Sequence, residues 1–120
     1  MTATTHPTAA AYVQATNDHD LAAFMACFAE NAVVDDAGRE LRGIAAIKAW
    51  SQHEIMDANV TLEVLEVTDH DGEVTLTTKV DGSFDRTGLP DPLVISQHMR
   101  FQADKIVELT CRLVRETPGK

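Results

Sequence analysis

Aromatic side chains are scarce in this chain, at 5% of 120 residues, and no apolar run approaches the roughly 20 residues that span a bilayer. Basic residues are scarce as well: ten Lys and Arg stand against 19 Asp and Glu, which gives a net charge of −9 at pH 7. Because nucleic acids and anionic membrane surfaces need a positive partner, we expect neither as a partner. Cys27 and Cys111 are too few for a disulfide framework or a cysteine metal cluster.

The amino-terminal segment lacks the positive patch and apolar stretch of a signal peptide, so we expect a cytoplasmic protein. At 44% hydrophobic residues the chain is too apolar to be disordered. Its length suits one domain over residues 1–120, with one sizeable core. We therefore expect an acidic domain that uses no cofactor, and whose partner is a small molecule or a second copy of the chain.

Two helices are predicted at the start of the chain. Pro7 can open the first, over residues 8–16, because the first helical position needs no N–H donor. A polar break over residues 17–20 follows, in which Asp18 or Asp20 can cap the next helix. In the second helix, apolar residues recur at i, i+3, i+4 and i+7 and share one face: Leu21, Phe24, Met25 and Phe28.

A strand and a third helix are predicted next. The apolar run over residues 32–36 predicts a short strand, and Glu40 with Leu41 indicates a second short extended piece. Gly43 then introduces a helix that we expect to run to about Ile55. The inward-facing residues of this third helix share helical spacing: Ile44, Ile47 and Trp50.

The second half of the chain is predicted to be antiparallel strands joined by hairpins. Alternation changes phase between Val64 and Leu65, as a β-bulge would cause. Residues 69–72 are typical of a hairpin turn and residues 82–92 of a loop. Alternation places these side chains on inner faces: Val74, Leu76, Thr78, Val80, Leu93, Ile95, Gln97, Met99, Phe101, Val107, Leu109, Cys111 and Leu113. The order predicts an α+β fold in which a curved sheet wraps over helices and leaves an open end as a natural pocket.

Three polar side chains stand where the pattern calls for apolar ones. Tyr12 lies on the first helix, and Asp36 ends the first strand on the same face as Val34. Gln97 lies in the middle of an apolar strand face, where an unpaired amide costs about 1–3 kcal/mol. Each has an ordinary interpretation too. Tyr12 could be a core tyrosine whose hydroxyl reaches solvent, Asp36 an ordinary turn residue, and Gln97 an amide that bonds to the neighbouring bulged backbone. Their coincidence favours a polar site inside an apolar pocket.

Several segments resemble the ketosteroid isomerases. In the first half the similar residues are Tyr12-Val13, Asn17, Asp20, residues 28–32, residues 34–36, Gly43 and residues 45–47. In the second half, residues 97–101 resemble that family's final hairpin. The wider group is the NTF2-like superfamily, which includes the SnoaL-like polyketide cyclases, and the resemblance covers nearly the whole chain. It implies an NTF2-like cone, a strongly curved antiparallel sheet wrapped over three N-terminal helices.

By this resemblance, Asp36 matches the isomerases' general base and Tyr12 their oxyanion-hole tyrosine. Gln97 falls where those enzymes carry a protonated aspartic acid as second donor. In that chemistry a carboxylate removes a proton beside a carbonyl, while two donors hold the enolate oxygen. Gln97 donates as a neutral amide, and Phe28 and Ser51 stand at the positions of supporting tyrosines. The resemblance therefore implies proton abstraction beside a carbonyl more than steroid isomerisation as such.

The predicted ligand is a small hydrophobic carbonyl compound, steroid- or polyketide-like. Five residues are predicted to contact it: Phe24, Phe28, Val34, Trp50 and Met99. Asp35 is not expected in the site, because adjacent strand residues point to opposite faces. The five histidines lack ligand spacing, so no metal is expected.

Two other functions stay open from the sequence. Hydration or hydrolysis, as in the epoxide hydrolases of the same superfamily, needs an arginine beside paired carboxylates, and Arg100 and Arg112 are predicted to face away from the pocket. A non-catalytic ligand-binding or dimerisation module is the other. We also expect a homodimer through the outer sheet face, whose residues are of mixed polarity: Val94, Ser96, His98, Thr110 and Arg112.

Overall fold

The computed structural model describes residues 6–85 and 87–114. The three helices are α1 (Pro7–Asp18), α2 (Leu21–Ala26) and α3 (Ile44–Ser51), and α3 continues into one π-helical turn, Gln52–Met56. The six strands are β1 (Phe28–Asp36), β2 (Arg39–Arg42), β3 (Thr61–His70), β4 (Glu73–Asp81), β5 (Val94–Gln102) and β6 (Lys105–Leu113). The α+β fold of the NTF2-like cone type is thereby confirmed.

The six strands form one curved, unclosed sheet in the order β2-β1-β6-β5-β4-β3. All neighbouring pairs are antiparallel except β1 and β6, which run parallel. The expectation of a wholly antiparallel sheet is therefore wrong at this pair, and the sheet is mixed. Alternation predicts which face a side chain takes, but it carries no information on the direction of a partner strand distant in the chain.

The second helix is shorter than its apolar spacing predicts. It begins at Leu21, after the N-cap residue Asp20, whose side chain accepts a hydrogen bond from the Ala23 N–H at 3.1 Å, and it ends at Ala26. Phe28 already belongs to β1, where it pairs with Ile106 of β6, and the Ile106 N–H donates to the Cys27 carbonyl at 2.8 Å. The assignment of Phe28 to the helix is therefore wrong. Because Phe28 pairs with β6, β1 begins here, four residues before the strand predicted over residues 32–36.

The strand pairings contain three register shifts, one of which lies between Phe28 and Val33 of β1. The shift between Val64 and Glu66 in β3 confirms the bulge predicted there. The third shift, between Arg100 and Phe101 of β5, was not predicted. It brings Ile106 rather than Val107 fully into the core, so the inward placement of Val107 is wrong. Bulges of this kind bend a sheet, which is what lets one face become concave.

The helices are joined to the sheet by polar contacts as well as by the core. The side chain of Asn17 donates to the Leu62 carbonyl at 3.0 Å and accepts from the Leu62 N–H at 2.7 Å, so α1 is clamped to β3. Helix α1 ends at Asp18, and its C-cap residue, His19, has a φ of 54°, in the left-handed region. Within the described ranges, no helix is long and apolar enough to cross a membrane.

Candidate functional site

A cavity of about 610 Å³ opens between α1, α3 with its π-helical turn, and the inner faces of β3 to β6. Most of its wall is apolar and comes from residues such as Leu62, Val80, Leu93 and Ile95. A volume of this size suits a small organic molecule. All three polar residues singled out in the sequence, Tyr12, Asp36 and Gln97, line this same cavity.

Asp36 and Gln97 lie in one row across the sheet, with Cys111 between them. Gln97 of β5 pairs in register with Cys111 of β6, and Cys111 pairs in register with Asp36 of β1. In-register neighbours share a face of the sheet, and all three side chains line the cavity. Since adjacent strands lie about 4.8 Å apart, the Asp36 and Gln97 main chains are separated by about 10 Å.

Tyr12 and Gln97 are hydrogen-bonded to each other at the buried end of the cavity. The Tyr12 hydroxyl donates to Gln97 Oε1 at 2.5 Å, and Gln97 Nε2 donates to Thr78 Oγ1 at 3.0 Å. The Thr78 hydroxyl in turn donates to the Ile95 carbonyl at 2.9 Å. Gln97 is thus bonded to side chains, not to the bulged backbone that was its ordinary interpretation. In this structure the Tyr12 proton is directed at Gln97, so the two groups do not both donate towards a ligand atom.

Burial keeps the Tyr12 hydroxyl protonated. Desolvation raises the pKa of Tyr12 well above 10.0, and the nearby Cys111 and Asp36 side chains raise the pKa further. A protonated phenol can donate a hydrogen bond but cannot serve as a base at neutral pH. The carboxylate of Asp36 is therefore the better candidate for a proton acceptor.

The Asp36 carboxylate lies at the more open end of the cavity, with its side chain 29% exposed. The Trp50 indole N–H donates to Asp36 Oδ2 at 3.0 Å, and Arg39 donates to the same oxygen at 3.2 Å. Arg39 also pairs with Glu54 at 2.6 Å, and Glu54 lines the cavity beside Asp36. Two donors therefore hold one carboxylate oxygen and leave Oδ1 as the atom that can act on a ligand.

The neighbouring carboxylate, Asp35, points away from the site, as predicted. Its two oxygens accept from Arg112 at 3.1 and 3.0 Å. The prediction for Arg112 is wrong in part, because this residue borders the cavity although its guanidinium is paired with Asp35. Arg100 pairs with Glu108 and with Glu73 and does not line the cavity.

Of the five predicted ligand contacts, only Trp50 lines the cavity. The other four are buried among one another and their neighbours in the core and do not line it: Phe24, Phe28, Val34 and Met99. Each lies on an apolar face, as the pattern predicted, but a residue's place on a buried face does not say whether it meets the cavity or the core behind it. Ligand contact stays a prediction for Trp50 alone.

Sequence reasoning missed the supporting residues of the site. Thr78 stood out only as a polar member of an apolar inner face, which is the signal that identified Gln97. Arg39, Glu54 and His53 carry no such signal, because exposed charged residues near a helix or turn are ordinary. No group of three His, Cys, Asp or Glu side chains that could hold a metal ion occurs in residues 6–85 and 87–114.

We expect the thiol of Cys111 to be unreactive in the folded protein. Burial, and next the nearby Asp36 carboxylate, raise its pKa from 9.0 to about 12. Since the thiolate is the nucleophile and only about one Cys111 thiol in ten thousand is ionised at pH 8, its reaction should be slow. Titration with a chromogenic disulfide should show slow labelling of native protein and labelling of both cysteines after denaturation. Fast native labelling that is lost in Cys111→Ser would contradict this expectation.

Comparison with solved structures places this fold among the NTF2-like proteins. A proposed polyketide cyclase from Sinorhizobium meliloti is 26% identical and has a TM-score of 0.78; the match covers 88% of this chain and 93% of that one. A Δ5-3-ketosteroid isomerase from Mycobacterium sp. is 17% identical with a TM-score of 0.72, over 88% of each chain. At that identity the second likeness concerns the fold alone.

The sequence profile of the SnoaL-like domain matches residues 9–109. The chain therefore belongs to the SnoaL-like domain family. A protein with a ketosteroid isomerase-like fold from Catenulispora acidiphila, solved with trimethylamine, is 21% identical with a TM-score of 0.74, over 91% of this chain and 86% of that one. No curated protein matches the sequence.

Proposed function

We propose that the cavity binds a small hydrophobic carbonyl compound, steroid- or polyketide-like, and that Asp36 moves a proton at the carbon beside the carbonyl. The reaction would be of the isomerase or cyclase type. The observation that carries this proposal is that the Asp36 carboxylate and the Tyr12–Gln97 pair line the same cavity, whose wall is otherwise mostly apolar. The membership of the SnoaL-like domain family and the likeness to a proposed polyketide cyclase support the reaction class.

The proposed step begins at Asp36. Its Oδ1 takes the proton from the ligand carbon, and the electrons of the C–H bond move to the carbonyl oxygen as an enolate forms. The oxygen lies at Gln97 and Tyr12, about two strand spacings away across the sheet. Asp36 then returns the proton to a different carbon, which is isomerisation. In cyclisation the enolate carbon instead forms a bond to a second carbonyl carbon, and the oxygen of that carbonyl takes the proton back from Asp36.

Tyr12 contributes most once negative charge develops. A neutral ketone competes weakly for the Tyr12 proton, because that proton already bonds to Gln97 Oε1. An enolate oxygen competes better, since a hydrogen bond to a charged acceptor is about twice as strong as one to a neutral acceptor. An interaction that strengthens towards the transition state accelerates the reaction rather than merely tightening binding.

Hydrogen–deuterium exchange tests the proposed chemistry without knowledge of the natural substrate. The protein is incubated in D₂O with 2-tetralone and with a 3-oxo steroid, and deuterium uptake beside the carbonyl is followed by mass spectrometry. We expect uptake faster than in buffer or with heat-unfolded protein. Binding of both ketones without catalysed exchange would instead favour a non-catalytic ligand-binding module.

A second candidate is epoxide hydration. Arg39 lies between the carboxylates of Asp36 and Glu54, and both carboxylates line the cavity. Such a cluster could hold a water while one carboxylate takes its proton. The water oxygen then forms a bond to an epoxide carbon, the C–O bond at that carbon breaks, and the epoxide oxygen takes up a proton from solvent. Formation of a diol from styrene oxide, absent in Glu54→Gln, would favour this candidate over carbonyl chemistry.

The homodimer and the cytoplasmic location remain part of the proposal. The outer faces of β5 and β6 carry half-buried Val94, Ser96 and His98 beside Thr110, a surface of mixed polarity. His98 faces away from the cavity, where its ring bonds with Glu73 at 2.7 Å and Thr75 at 2.7 Å. Sedimentation equilibrium should yield the mass of two chains; the mass of one chain at micromolar concentration would contradict the dimer.

A further inference from the structure

The hydrogen-bond chain at the buried end of the cavity has a fixed direction. A main-chain carbonyl can only accept a hydrogen bond, so the Thr78 hydroxyl donates its single proton to the Ile95 carbonyl, 2.9 Å away. Thr78 Oγ1 must then accept from Gln97, which turns the Gln97 amide nitrogen towards Thr78 and its oxygen towards Tyr12. Because an amide oxygen can only accept, Tyr12 must be the donor.

This direction determines what the two groups offer a ligand. The only proton of the Tyr12 hydroxyl is bonded to Gln97, so towards the cavity Tyr12 offers a lone pair. Among the described residues, no group donates to the Tyr12 oxygen, and Gln97 Nε2 donates only to Thr78, which leaves one N–H proton. The buried end of the cavity therefore presents one acceptor and one donor side by side.

We infer that Thr78 is a positioning residue that makes this site select a hydroxyl group over a ketone. The inference rests on the proposal that the cavity binds a hydrophobic ligand through its oxygen, not on Asp36, and it implies that the enol form of a carbonyl ligand binds more tightly than its keto form. An enol, phenol or alcohol can donate to the Tyr12 oxygen and accept from the Gln97 N–H at once. A ketone can accept from the Gln97 N–H, but its oxygen then faces a lone pair on the Tyr12 oxygen. Tyr12 can donate to a ketone only if the direction of all the hydrogen bonds from Tyr12 to Thr78 reverses.

Reversal of the chain is what Thr78 resists. If the Gln97 amide turned over, its nitrogen would donate to the Tyr12 oxygen and free the Tyr12 proton for a ketone. Thr78 would then have to donate to Gln97 Oε1 and abandon the Ile95 carbonyl. Loss of one net hydrogen bond corresponds to about a three- to tenfold effect on affinity.

The test compares two aromatic probes of similar size in four proteins. Calorimetric titration at pH 7 measures the Kd of 2-naphthol, which donates and accepts, and of 2-acetonaphthone, which only accepts. We expect Thr78→Val to shift the ratio of the two Kd values about three- to tenfold towards the ketone. Thr78→Ser keeps the hydroxyl and should keep the wild-type ratio, as should Thr77→Val on the opposite face of β4.

Each outcome decides the inference. An unchanged ratio in Thr78→Val, or an equal shift in Thr78→Ser, overturns it, as does failure of both probes to bind the wild-type protein. If Thr78→Val does not fold, Thr78→Ala removes the same hydroxyl and must shift the ratio in the same direction. Catalysed deuterium exchange with no shift in the ratio overturns this inference alone, whereas a shift without exchange overturns only the chemistry proposed for Asp36.

Discussion

Replacement of Asp36 by asparagine should lower the rate of catalysed deuterium exchange by about 10²- to 10⁴-fold, the range that general bases contribute. Asparagine has nearly the shape of aspartate, and its amide oxygen can still accept from the Trp50 indole N–H. It cannot take a proton at neutral pH. The expected result is therefore loss of exchange with little change in the affinity for 2-naphthol, measured on the same preparation.

Asp35 supplies the matched control for this substitution. It is the adjacent residue on the same strand, it carries the same charge, and it points to the opposite face, where it pairs with Arg112. Asp35→Asn thus changes net charge equally and replaces no side chain that lines the cavity, although its partner Arg112 borders it, so it should keep nearly the wild-type exchange rate. Equal losses in the two variants would show that charge or stability, and not proton transfer by Asp36, lies behind the effect.

The fold was predictable from the sequence wherever one pattern acted alone. Alternation on β4 places Val74, Leu76, Thr78 and Val80 inside, and all four are buried. Helical spacing predicted α2 correctly as far as Ala26 but failed at Phe28. There the i+7 position of a helix coincides with the first residue of a strand, and only the partner strand β6, distant in the chain, decides between them.

The candidate site was predictable in its members but not in its hydrogen bonding. Polar residues on apolar faces identified Gln97 and, with the family resemblance, Tyr12 and Asp36, and all three line one cavity. The direction of the bonds among them depends on Thr78 and on the Ile95 carbonyl, which belong to two neighbouring strands. No spacing in the sequence reports that a hydroxyl is bonded to a main-chain carbonyl, so the sequence could not show that the Tyr12 proton is bonded to Gln97.

The arrangement separates the two tasks of the proposed reaction. The proposed proton acceptor lies at the more open end, where Trp50 and Arg39 hold one oxygen of Asp36. The proposed oxygen-binding pair lies at the buried end, where the pKa of Tyr12 is raised by desolvation. Water can thus reach the carboxylate more easily than the ligand oxygen, which favours strong hydrogen bonds at the place where charge develops.

Phe24→Ala should have the largest effect on stability, a loss of about 3–5 kcal/mol in the free energy of unfolding. The Phe24 ring is fully buried, with its centroid 5.2 Å from that of Tyr12, 5.3 Å from that of Phe28 and 6.4 Å from that of Trp50. Its removal leaves a cavity among three aromatic rings that cannot close it without moving.

Urea unfolding of Phe24→Ala and of Phe101→Ala separates burial from the mere loss of a ring. Phe101 lies at the edge of the core, half-buried and stacked on His6 at a centroid distance of 3.8 Å, so its replacement should cost less than half as much. Because the free energy of unfolding of a domain of this size is only about 5–15 kcal/mol, Phe24→Ala should retain only a small part of it. Since the Phe24 ring packs against the Tyr12 ring, folded Phe24→Ala should also bind 2-naphthol more weakly than the wild-type protein. Wild-type affinity in Phe24→Ala, together with stability losses equal in Phe24→Ala and Phe101→Ala, would show that Phe24 does not hold Tyr12 in place.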